Sequence, residues 1–425
     1  MTTVRPFRAL RYDPARRDLS RVIVPPYDVI GADERESFYQ RDPHNAIRLE
    51  LTRSQSDEAE TDYAEVRETL ESWQASGVLR RDDEAAFYVM RQRFTAPNGT
   101  MLEREGFYAE LALEDYDRRI VRRHERTMDG PKRDRLKQLR AARANLSSVF
   151  LLYEDRDEAL STLVASAFKQ SEALEARDDQ GVEYAVAPLR ESAAVAGIQD
   201  FLEQRPCVIA DGHHRYETAL LYRDECREQA GRIDPAAASE STLAYFANAY
   251  APGSLLLPIH RVIIGARMPD LERWRTQLAG WQHRAVPLLG VDEIAGRLAK
   301  HLAPLGRQPA FAADAGDGEL HLFWCTEPLS DTLMVDRLER DVIGGVFGID
   351  VAAIRAGAVA FPKSAEQTAR EVRTGNRGVG LYLNPIDPED VFRITEAGDV
   401  MPQKSTFFYP KVPTGFVFRL HGDDA

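Results

Sequence analysis

The sequence predicts an α+β protein with more than one domain, and three observations support this class. Its 425 residues exceed what a single hydrophobic core usually supports. Strand-like and helix-like segments are mixed without the strict strand–helix–strand alternation of a doubly wound parallel sheet. The composition, 44% hydrophobic and 29% charged, is that of a globular protein with enough apolar side chains to fill a core.

The net charge, the cysteines and the apolar segments of the chain indicate which classes of partner and which cellular location to expect. The formal net charge of −13 argues against nucleic acid or an anionic membrane as the main partner. The three cysteines show neither metal-ligand spacing nor a disulfide framework. The first residues lack the apolar core of a signal peptide, and no apolar run reaches membrane-spanning length. We therefore expect a soluble, cytoplasmic protein.

The first elements can be predicted in order along the chain. Pro25 and Pro26 remove two amide donors, so the segment that contains them is extended. Apolar residues at helical spacing predict a helix over residues 57–76. Two aromatic-rich runs flank Asn98-Gly99, which tolerates the positive φ of a tight turn, and they predict a β-hairpin over residues 85–113.

The central and C-terminal segments continue the mixture of helices and strands. A helix is predicted to begin near Pro131, and a buried strand to cover Val149 to Tyr153. A short apolar strand over 207–210 leads directly into a helix over 214–230. The remaining predictions are helices near 155–170, 190–204, 269–280, 289–303 and 332–342 and a strand near 319–325, followed by a helix in SAEQTAREVRTG, a strand in VGLYLN and a helix in PEDVFRITEAG.

The residues Asp211, Gly212, His213, His214 and Arg215 lie where this strand meets the helix. The first amides of a helix have no internal acceptors, and the helix dipole adds positive charge, so such an end can bind phosphate. Gly212 lets the backbone approach a ligand, Arg215 offers parallel donors, and either histidine can act as acid or base. A helix N-cap would explain Asp211 alone, with the histidines incidental. The whole set favours an anion or phosphoryl site.

A second charged segment contains His124, Arg126, Thr127 and Lys132. Its imidazole, hydroxyl and cations are suited to another anion-binding loop that leads into a helix. The same residues also suit a solvated helix face, because runs of charge are usually exposed. Both interpretations remain open at this point.

Polar residues near the N-terminus are candidates for a substrate pocket. Tyr27 and Asp28 follow the two prolines. Arg48 and Glu50 alternate with leucines, a pattern that predicts one face of a β-strand. An alternative is that these two charges pair with each other.

Near the C-terminus, Lys404 precedes two hydroxyl residues, Ser405 and Thr406. Such a loop can bind phosphate or a small polar substrate, although an aromatic-rich tail of this kind is often only packed for stability. The sequence contains no P-loop, no Gly-x-Gly-x-x-Gly dinucleotide motif and no protein-kinase motif set. A nucleotide or pyrophosphate would therefore need an unconventional site.

Five motifs in order resemble the prokaryotic family known as domain of unknown function 1015 (DUF1015). They are VPPYDVI, HNAIRLEL, HERTMDGPKRDRLKQLRAARAN, IADGHHRYETAL and MPQKSTFFYPK, and together they span nearly the whole chain. The family name itself implies no activity.

ADGHHRYETAL is also similar, more distantly, to the phosphate-binding motif of the ParB/sulfiredoxin fold, above all to its form in the free-serine kinases. This resemblance implies a nucleotide- or phosphate-binding core at residues 1–55 and 206–265. Residues 56–205, with the hairpin, would be a large α+β insertion. Residues 266–425 would form a smaller C-terminal α/β region that contributes a substrate loop.

Free-serine kinases convert L-serine to O-phosphoserine with ADP or ATP and Mg²⁺, so the resemblance implies a kinase of serine metabolism. Asp211 and His214 would be a catalytic pair, with Asp211 near the metal, and Glu50 would be the general base, with Asp28 as the alternative. The expected phosphate or nucleotide contacts are Gly212, His213, Arg215, His124, Arg126, Thr127 and Lys132, and the expected substrate contacts are Tyr27, Asp28, Arg48, Lys404, Ser405 and Thr406.

Other functions and donors remain open. A nucleotide-binding switch or interaction protein would need the phosphate ligands without a general base. A phosphatase-type hydrolase would use His213 or His214 to release inorganic phosphate. Pyrophosphate is an alternative phosphoryl donor, and DNA binding is the least favoured function because the chain is acidic.

Overall fold

The computed structural model describes residues 1–53, 63–125, 129–170, 173–306, 308–326, 332–374, 378–402 and 404–422. The chain forms two compact units. The first contains Met1–Leu255, Phe392–Val400 and Phe408–Ala425, and the second contains Leu256–Val391 and Met401–Phe407.

The strands are short to medium in length and occur throughout the chain. In chain order they are β1 (Val4–Arg5), β2 (Leu10–Tyr12), β3 (Leu79–Arg81), β4 (Phe87–Thr95), β5 (Met101–Ala112), β6 (Val121–Arg122), β7 (Ala144–Asn145), β8 (Val149–Tyr153), β9 (Leu174–Arg177), β10 (Glu183–Leu189), β11 (Cys207–Asp211), β12 (Ser241–Asn248), β13 (Leu255–Pro258), β14 (Arg261–Ile264), β15 (Gln282–Pro287), β16 (Ala310–Asp314), β17 (Glu319–Trp324), β18 (Val359–Ala360), β19 (Gly378–Leu383), β20 (Thr406–Tyr409) and β21 (Arg419–Leu420).

The α-helices range from single turns to the long helix that follows β11. In chain order they are α1 (Leu19–Val22), α2 (Ala32–Arg41), α3 (Ile47–Glu50), α4 (Ala64–Ala75), α5 (Asp129–Ala142), α6 (Ser161–Ala165), α7 (Ala167–Gln170), α8 (Ser192–Glu203), α9 (His213–Ala230), α10 (Leu271–Gln277), α11 (Ile294–His301), α12 (Met334–Arg337), α13 (Val351–Ala353), α14 (Ala365–Arg373) and α15 (Pro388–Ala397). Short 3₁₀ or π-helical turns cover Tyr27–Val29, Tyr116–Arg118, Ala238–Glu240, Val291–Glu293, Ala303–Leu305, Leu338–Val346 and Ile354–Ala358.

The first unit is built on a nine-stranded mixed sheet. Its strands follow the order β6-β11-β8-β12-β5-β4-β10-β9, and β1 pairs with β5 outside this path. Strand β11 runs parallel to β6 and antiparallel to β8, and β12 runs parallel to β8. The other neighbours in this sheet, including the β4–β5 hairpin, are antiparallel.

Strand β11 carries the chain from the hydrophobic core to the predicted phosphate turn. Its first four residues, CVIA, are buried, as expected for a strand with a neighbour on each side. Cys207 and Ile209 share a hydrophobic cluster with Tyr216 of α9, whose hydroxyl also donates to the carbonyl of Glu114 at 2.8 Å. Asp211 is therefore the first polar residue at the end of a buried strand, and the helix after it is fixed on the same core.

The second unit contains a six-stranded antiparallel sheet in the order β15-β17-β16-β19-β14-β18. Ala312 and Leu322 of this sheet form a hydrophobic cluster with Ile294 of α11 and Ala369 of α14. The two helices thus cover apolar side chains that the sheet presents to them.

The structure confirms the α+β class, the hairpin, and the passage from β11 into α9. The predicted strand through Arg48 and Glu50 is wrong, because α3 is a single helical turn in which Ile47 and Leu49 are fully buried. Over four residues, alternation does not distinguish a strand from a buried helical turn, so tertiary packing decides the form. The predicted helix over 57–76 corresponds to α4, and residues 54–62 lie outside the described residues.

The domain boundaries implied by the resemblance, near residues 55, 205 and 265, remain predictions. Strands β4, β5, β9 and β10, which fall between residues 56 and 205, belong to the same sheet as β11. In the part of the chain that the structure describes, no helix is both long enough and apolar enough to cross a membrane.

Candidate functional site

Gly212 forms the turn between β11 and α9. Its φ of 88° lies in the left-handed region that favours glycine. A side chain here would also press on Arg215, because a Cβ atom would lie 3.0 Å from the guanidinium carbon. The turn therefore depends on glycine both for its backbone conformation and for the position of the arginine.

The carboxylate of Asp211 lies between two cations. Its Oδ1 accepts a hydrogen bond from Lys411 Nζ at 2.5 Å, and its Oδ2 accepts one from Arg215 Nη2 at 2.8 Å. Burial alone would raise the pKa of Asp211, but the charges of Lys411 and Arg215 outweigh burial and hold this pKa well below its usual range. The three side chains together therefore carry one net positive charge.

Arg215 connects this turn to the segment before β8. Its Nη1 donates to the carbonyl of Ser148, whereas its Nε is buried and has no hydrogen-bond partner among the described residues. Burial lowers the pKa of the guanidinium, but neighbouring carboxylates, Asp211 first, raise it above its ordinary value. A buried N–H group without a partner raises the free energy of the folded protein. An anion that reached Nε would therefore form a hydrogen bond there without breaking an existing one.

Two buried histidines pack against each other beside the turn. His124 Nδ1 lies 2.6 Å from the carbonyl oxygen of Ile209, which can only accept, so Nδ1 carries the proton. The rings of His124 and His213 meet edge to face at 4.6 Å. Burial lowers the pKa of His124 to about 4, and burial with the nearby His124 lowers the pKa of His213 well below its ordinary value. Both are neutral at pH 7, and His214 lies half-buried in the first turn of α9.

A narrow cleft of about 50 Å³ is lined by Arg215 and by residues from other segments, among them Tyr27, Glu50 and Ser147. Burial raises the pKa of Tyr27 to about 12, so its hydroxyl stays protonated at neutral pH. The guanidinium of Arg135 lies 4.4 Å from the centre of the Tyr27 ring. The cleft thus brings together a predicted base, Glu50, and a predicted phosphate ligand, Arg215.

Glu50 is only 2% exposed and is held by donors from three segments of the chain. Its Oε1 accepts a hydrogen bond from the Ser147 hydroxyl and, at 3.4 Å, one from Thr414 Oγ1. Its Oε2 lies 3.9 Å from Nη1 of Arg135, which also donates to the Glu50 carbonyl at 3.0 Å. These partners reduce the cost of burying the charge and fix the orientation of the carboxylate.

The β4–β5 hairpin holds the backbone of Lys411 in place. Gln92 and Arg104 lie opposite each other in the hairpin, and Arg104 Nε donates to Gln92 Oε1 at 3.0 Å. Arg104 Nη2 also donates to the carbonyl of Pro410 at 2.5 Å, and Gln92 Nε2 donates to that of Lys411 at 3.1 Å. The hairpin therefore positions the segment from which Lys411 reaches Asp211.

The second predicted anion loop is described only in part. Lys132 Nζ lies 3.0 Å from Glu217 Oε2, on the helix that follows the Asp211 turn. Arg126 and Thr127 lie outside the described residues. Of this loop, the structure brings His124 beside the turn, through its contact with His213.

Two other N-terminal candidates do not line the cleft. Arg48 Nη2 donates to the carbonyl of Tyr39 at 3.1 Å, and its guanidinium stacks on the Tyr39 ring at 4.7 Å. Its partner is thus an aromatic residue of α2, and within the described ranges it forms no ion pair with Glu50. Asp28 is exposed, next to Tyr27.

The predicted substrate loop belongs to the second unit. Lys404 is exposed and has a positive φ of 60°. Ser405 is buried and its hydroxyl donates to the carbonyl of Pro402 at 2.6 Å, whereas Thr406 begins β20. The role of this loop in substrate binding remains a prediction from the resemblance.

The residues around Asp211 do not fit the magnesium site that the resemblance implies. Both carboxylate oxygens of Asp211 already accept hydrogen bonds from cations, Lys411 and Arg215. In the described part of the chain, no group of three or more His, Cys, Asp and Glu side chains could hold a metal ion. Mg²⁺ beside a nucleotide is usually held by one or two carboxylates together with the phosphates, and Asp211, the carboxylate that the resemblance places near the metal, has both oxygens engaged by cations of the chain.

Sequence reasoning gave no role to Lys411 or Ser147, and it placed Arg135 among the cations of the second predicted anion-binding loop rather than beside Glu50. Lys411 is the last residue of the MPQKSTFFYPK motif, but the ligand-binding role predicted for this motif was assigned to Lys404 and the two hydroxyl residues after it. Arg135 lies in a run of charges that resembles an exposed helix face, although the structure buries it. Ser147 carries no sequence signal, because its role depends on a contact with a residue that is distant in the chain.

Several solved structures are similar to this chain, and they include three different proteins. A conserved hypothetical protein from Pyrococcus furiosus matches at 12% identity and a TM-score of 0.34, over 74% of this chain and 95% of its own. A mutant free serine kinase in complex with ADP matches at 11% identity and a TM-score of 0.36, over 73% and 92%. SbnI with a C-terminal truncation, from Staphylococcus aureus, matches at 10% identity and a TM-score of 0.34, over 74% and 87%.

Comparison with curated proteins finds no match. A family model described as "Protein of unknown function (DUF1015)" matches residues 4–325, which is most of the chain. The matched region contains the cleft residues Glu50 and Ser147 and the turn from Asp211 to Arg215. The prediction drawn from the five motifs is confirmed, and the chain belongs to the DUF1015 family.

Proposed function

We propose that this protein is a small-molecule kinase that transfers a phosphoryl group from ADP or ATP to the hydroxyl of L-serine. One observation carries the proposal: Glu50 and Arg215 line the same cleft, so a base and a phosphate ligand lie at one site. The sequence similarity of ADGHHRYETAL to the free-serine kinases names the substrate and the ParB/sulfiredoxin-like core. Phosphoryl transfer requires both groups, because the acceptor must be deprotonated while negative charge is neutralised.

The donor end of the proposed reaction is the turn at Asp211. Arg215 and Lys411 carry two positive charges, and the Asp211 carboxylate neutralises one of them. The N-terminal amides of α9 add partial positive charge. The terminal phosphates of a nucleotide would bind there, with the buried Nε of Arg215 as one free donor. In this arrangement the protein stabilises the charge of the transferring group through fixed cations and backbone amides.

The acceptor end of the proposed reaction is Glu50. Its carboxylate already accepts a hydrogen bond from an alcohol, the hydroxyl of Ser147, and is oriented by Arg135. In the reaction, the serine hydroxyl oxygen attacks the terminal phosphorus, and its proton passes to Glu50. The bond between that phosphorus and the bridging oxygen breaks, and the shortened nucleotide leaves.

Phosphorus NMR on the full chain tests the proposal. Samples would contain L-serine and Mg²⁺ with ATP, ADP or pyrophosphate in separate tubes, and parallel samples would omit Mg²⁺. We expect an O-phosphoserine signal with one of the donors. Glu50→Gln should abolish that signal while the nucleotide still raises the melting temperature, because the amide can still accept the Ser147 hydrogen bond. Glu68→Gln, an exposed residue of α4, is the matched control.

The same samples separate the competing functions. Inorganic phosphate without O-phosphoserine would indicate a hydrolase, and nucleotide binding without either product would indicate a switch. Turnover that survives in Glu50→Gln would rule out Glu50 as the base and leave the exposed Asp28 as the next carboxylate to replace.

A further inference from the structure

The hydroxyl of Ser147 has the geometry of an activated nucleophile. Its Oγ donates to Glu50 Oε1 and lies 2.8 Å from Thr414 Oγ1. Because the Ser147 proton points at Glu50, the single proton of Thr414 is directed mainly at the nearer Ser147 oxygen and only weakly at Glu50 Oε1, 3.4 Å away. A hydroxyl paired with a base in this way is the usual preparation for nucleophilic attack.

The base is oriented in turn by a third group. Arg135 lies 3.9 Å from the second oxygen of Glu50 and donates to its backbone carbonyl, to Gln138 and to the Tyr63 hydroxyl. Arg135 is only 4% exposed, so its position is fixed by these contacts. Nucleophile, base and orienting group thus form a chain of contacts from Ser147 through Glu50 to Arg135.

Ser147 also lies close to the proposed phosphate site. It lines the same cleft as Arg215, and Arg215 donates to the carbonyl of Ser148, the next residue in the chain. Ser147 is half-buried, so it is less enclosed than Glu50, the carboxylate that it contacts. The hydroxyl therefore lies between the proposed base and the proposed donor site.

We propose that Ser147 is a phosphoryl acceptor within the protein itself. This inference rests on the proposed function, because both need a nucleotide at the Asp211 turn. The Ser147 oxygen forms a bond to the terminal phosphorus of the nucleotide, and its proton passes to Glu50. The bond from that phosphorus to the bridging oxygen breaks, so the products are phosphoserine at position 147 and a nucleotide shortened by one phosphate.

Phosphorylation of Ser147 and of a free alcohol would exclude each other. Both hydroxyls need the same carboxylate, Glu50, and a phosphate on Ser147 would carry up to two negative charges and occupy the small cleft. The modification would therefore accumulate when no acceptor is present and would block the site. Free L-serine should suppress it.

Intact-protein and peptide mass spectrometry on the full chain tests the inference. After incubation with ATP and Mg²⁺ but no L-serine, we expect the mass of one phosphoryl group, mapped to the peptide that contains Ser147. Ser147→Ala should lose this mass, and Ser161→Ala, an exposed serine of α6, should keep it. Ser147→Thr keeps a hydroxyl and should be labelled at the same position, which separates loss of the acceptor from loss of the fold.

Addition of L-serine distinguishes this inference from the proposed function. O-phosphoserine production together with an unmodified Ser147 in the serine-free sample would overturn the inference and leave the kinase standing. Labelled Ser147 without O-phosphoserine would support the inference and overturn L-serine as the substrate. Neither product from a folded protein would overturn both.

Discussion

Lys411→Met tests whether the ammonium on Asp211 belongs to the phosphate site. The substitution keeps a long side chain but removes the charge that lies 2.5 Å from the carboxylate. A hydrogen bond to a charged group contributes roughly 1.5–3 kcal/mol, and each 1.4 kcal/mol changes Kd tenfold. If the ammonium contacts the phosphate, its loss should weaken nucleotide binding about 10- to 100-fold. Asp211 keeps Arg215 as a partner, so the free energy of unfolding should fall by only about 1–3 kcal/mol.

Isothermal titration calorimetry with ADP and ATP measures this effect, and chemical unfolding confirms that the variant is folded. Lys169→Met, an exposed lysine of the same unit, is the matched control. Combination with Asp211→Asn gives a double-mutant cycle, in which the two effects should not add because the residues are in direct contact. A folded Lys411→Met protein with wild-type nucleotide affinity would refute the assignment.

Two further predictions concern residues that support the site. Arg104→Met should weaken nucleotide binding and lower the melting temperature, because the carbonyl of Pro410 and the side chain of Gln92 lose a buried donor. Isothermal titration calorimetry measures the first effect and a thermal melt measures the second. The pKa of His124 is lowered to about 4, so the unfolded chain binds more protons than the native state between pH 4 and 6.5. The free energy of unfolding should therefore fall by roughly 3 kcal/mol from pH 6.5 to 4 on account of this group, and urea titrations at both pH values should show a smaller fall in His124→Asn.

The part of the site that could be predicted from the sequence is local. The end of the strand, the glycine and the first residues of α9 are consecutive in the chain, so their residue types and spacing can be read directly from the sequence. The hairpin was predictable for the same reason, since its turn residues and flanking strands are adjacent. Backbone preferences that act over a few residues explain both successes.

The contacts that complete the site join distant parts of the chain and could not be predicted. Lys411 reaches Asp211 across 200 residues, and Thr414 reaches Glu50 across 364. Strand β12 was not predicted either. It lies fully buried between β8 and β5, and its sequence does not alternate between polar and apolar residues. Alternation also failed at Arg48, where one helical turn has the same pattern as a short strand.

The surplus of positive charge at the turn would favour the proposed binding of an anionic ligand there, although the chain as a whole is acidic. Arg215 and Lys411 would repel each other without Asp211, which holds one on each oxygen and so keeps both cations in place before a ligand arrives. Because that arrangement already exists in the protein alone, binding a phosphate requires little reorganisation, and the cost of assembling the charges is met during folding. In the proposed site, Asp211 would therefore act on a ligand through the two cations it holds, so that its negative charge would favour the binding of an anion.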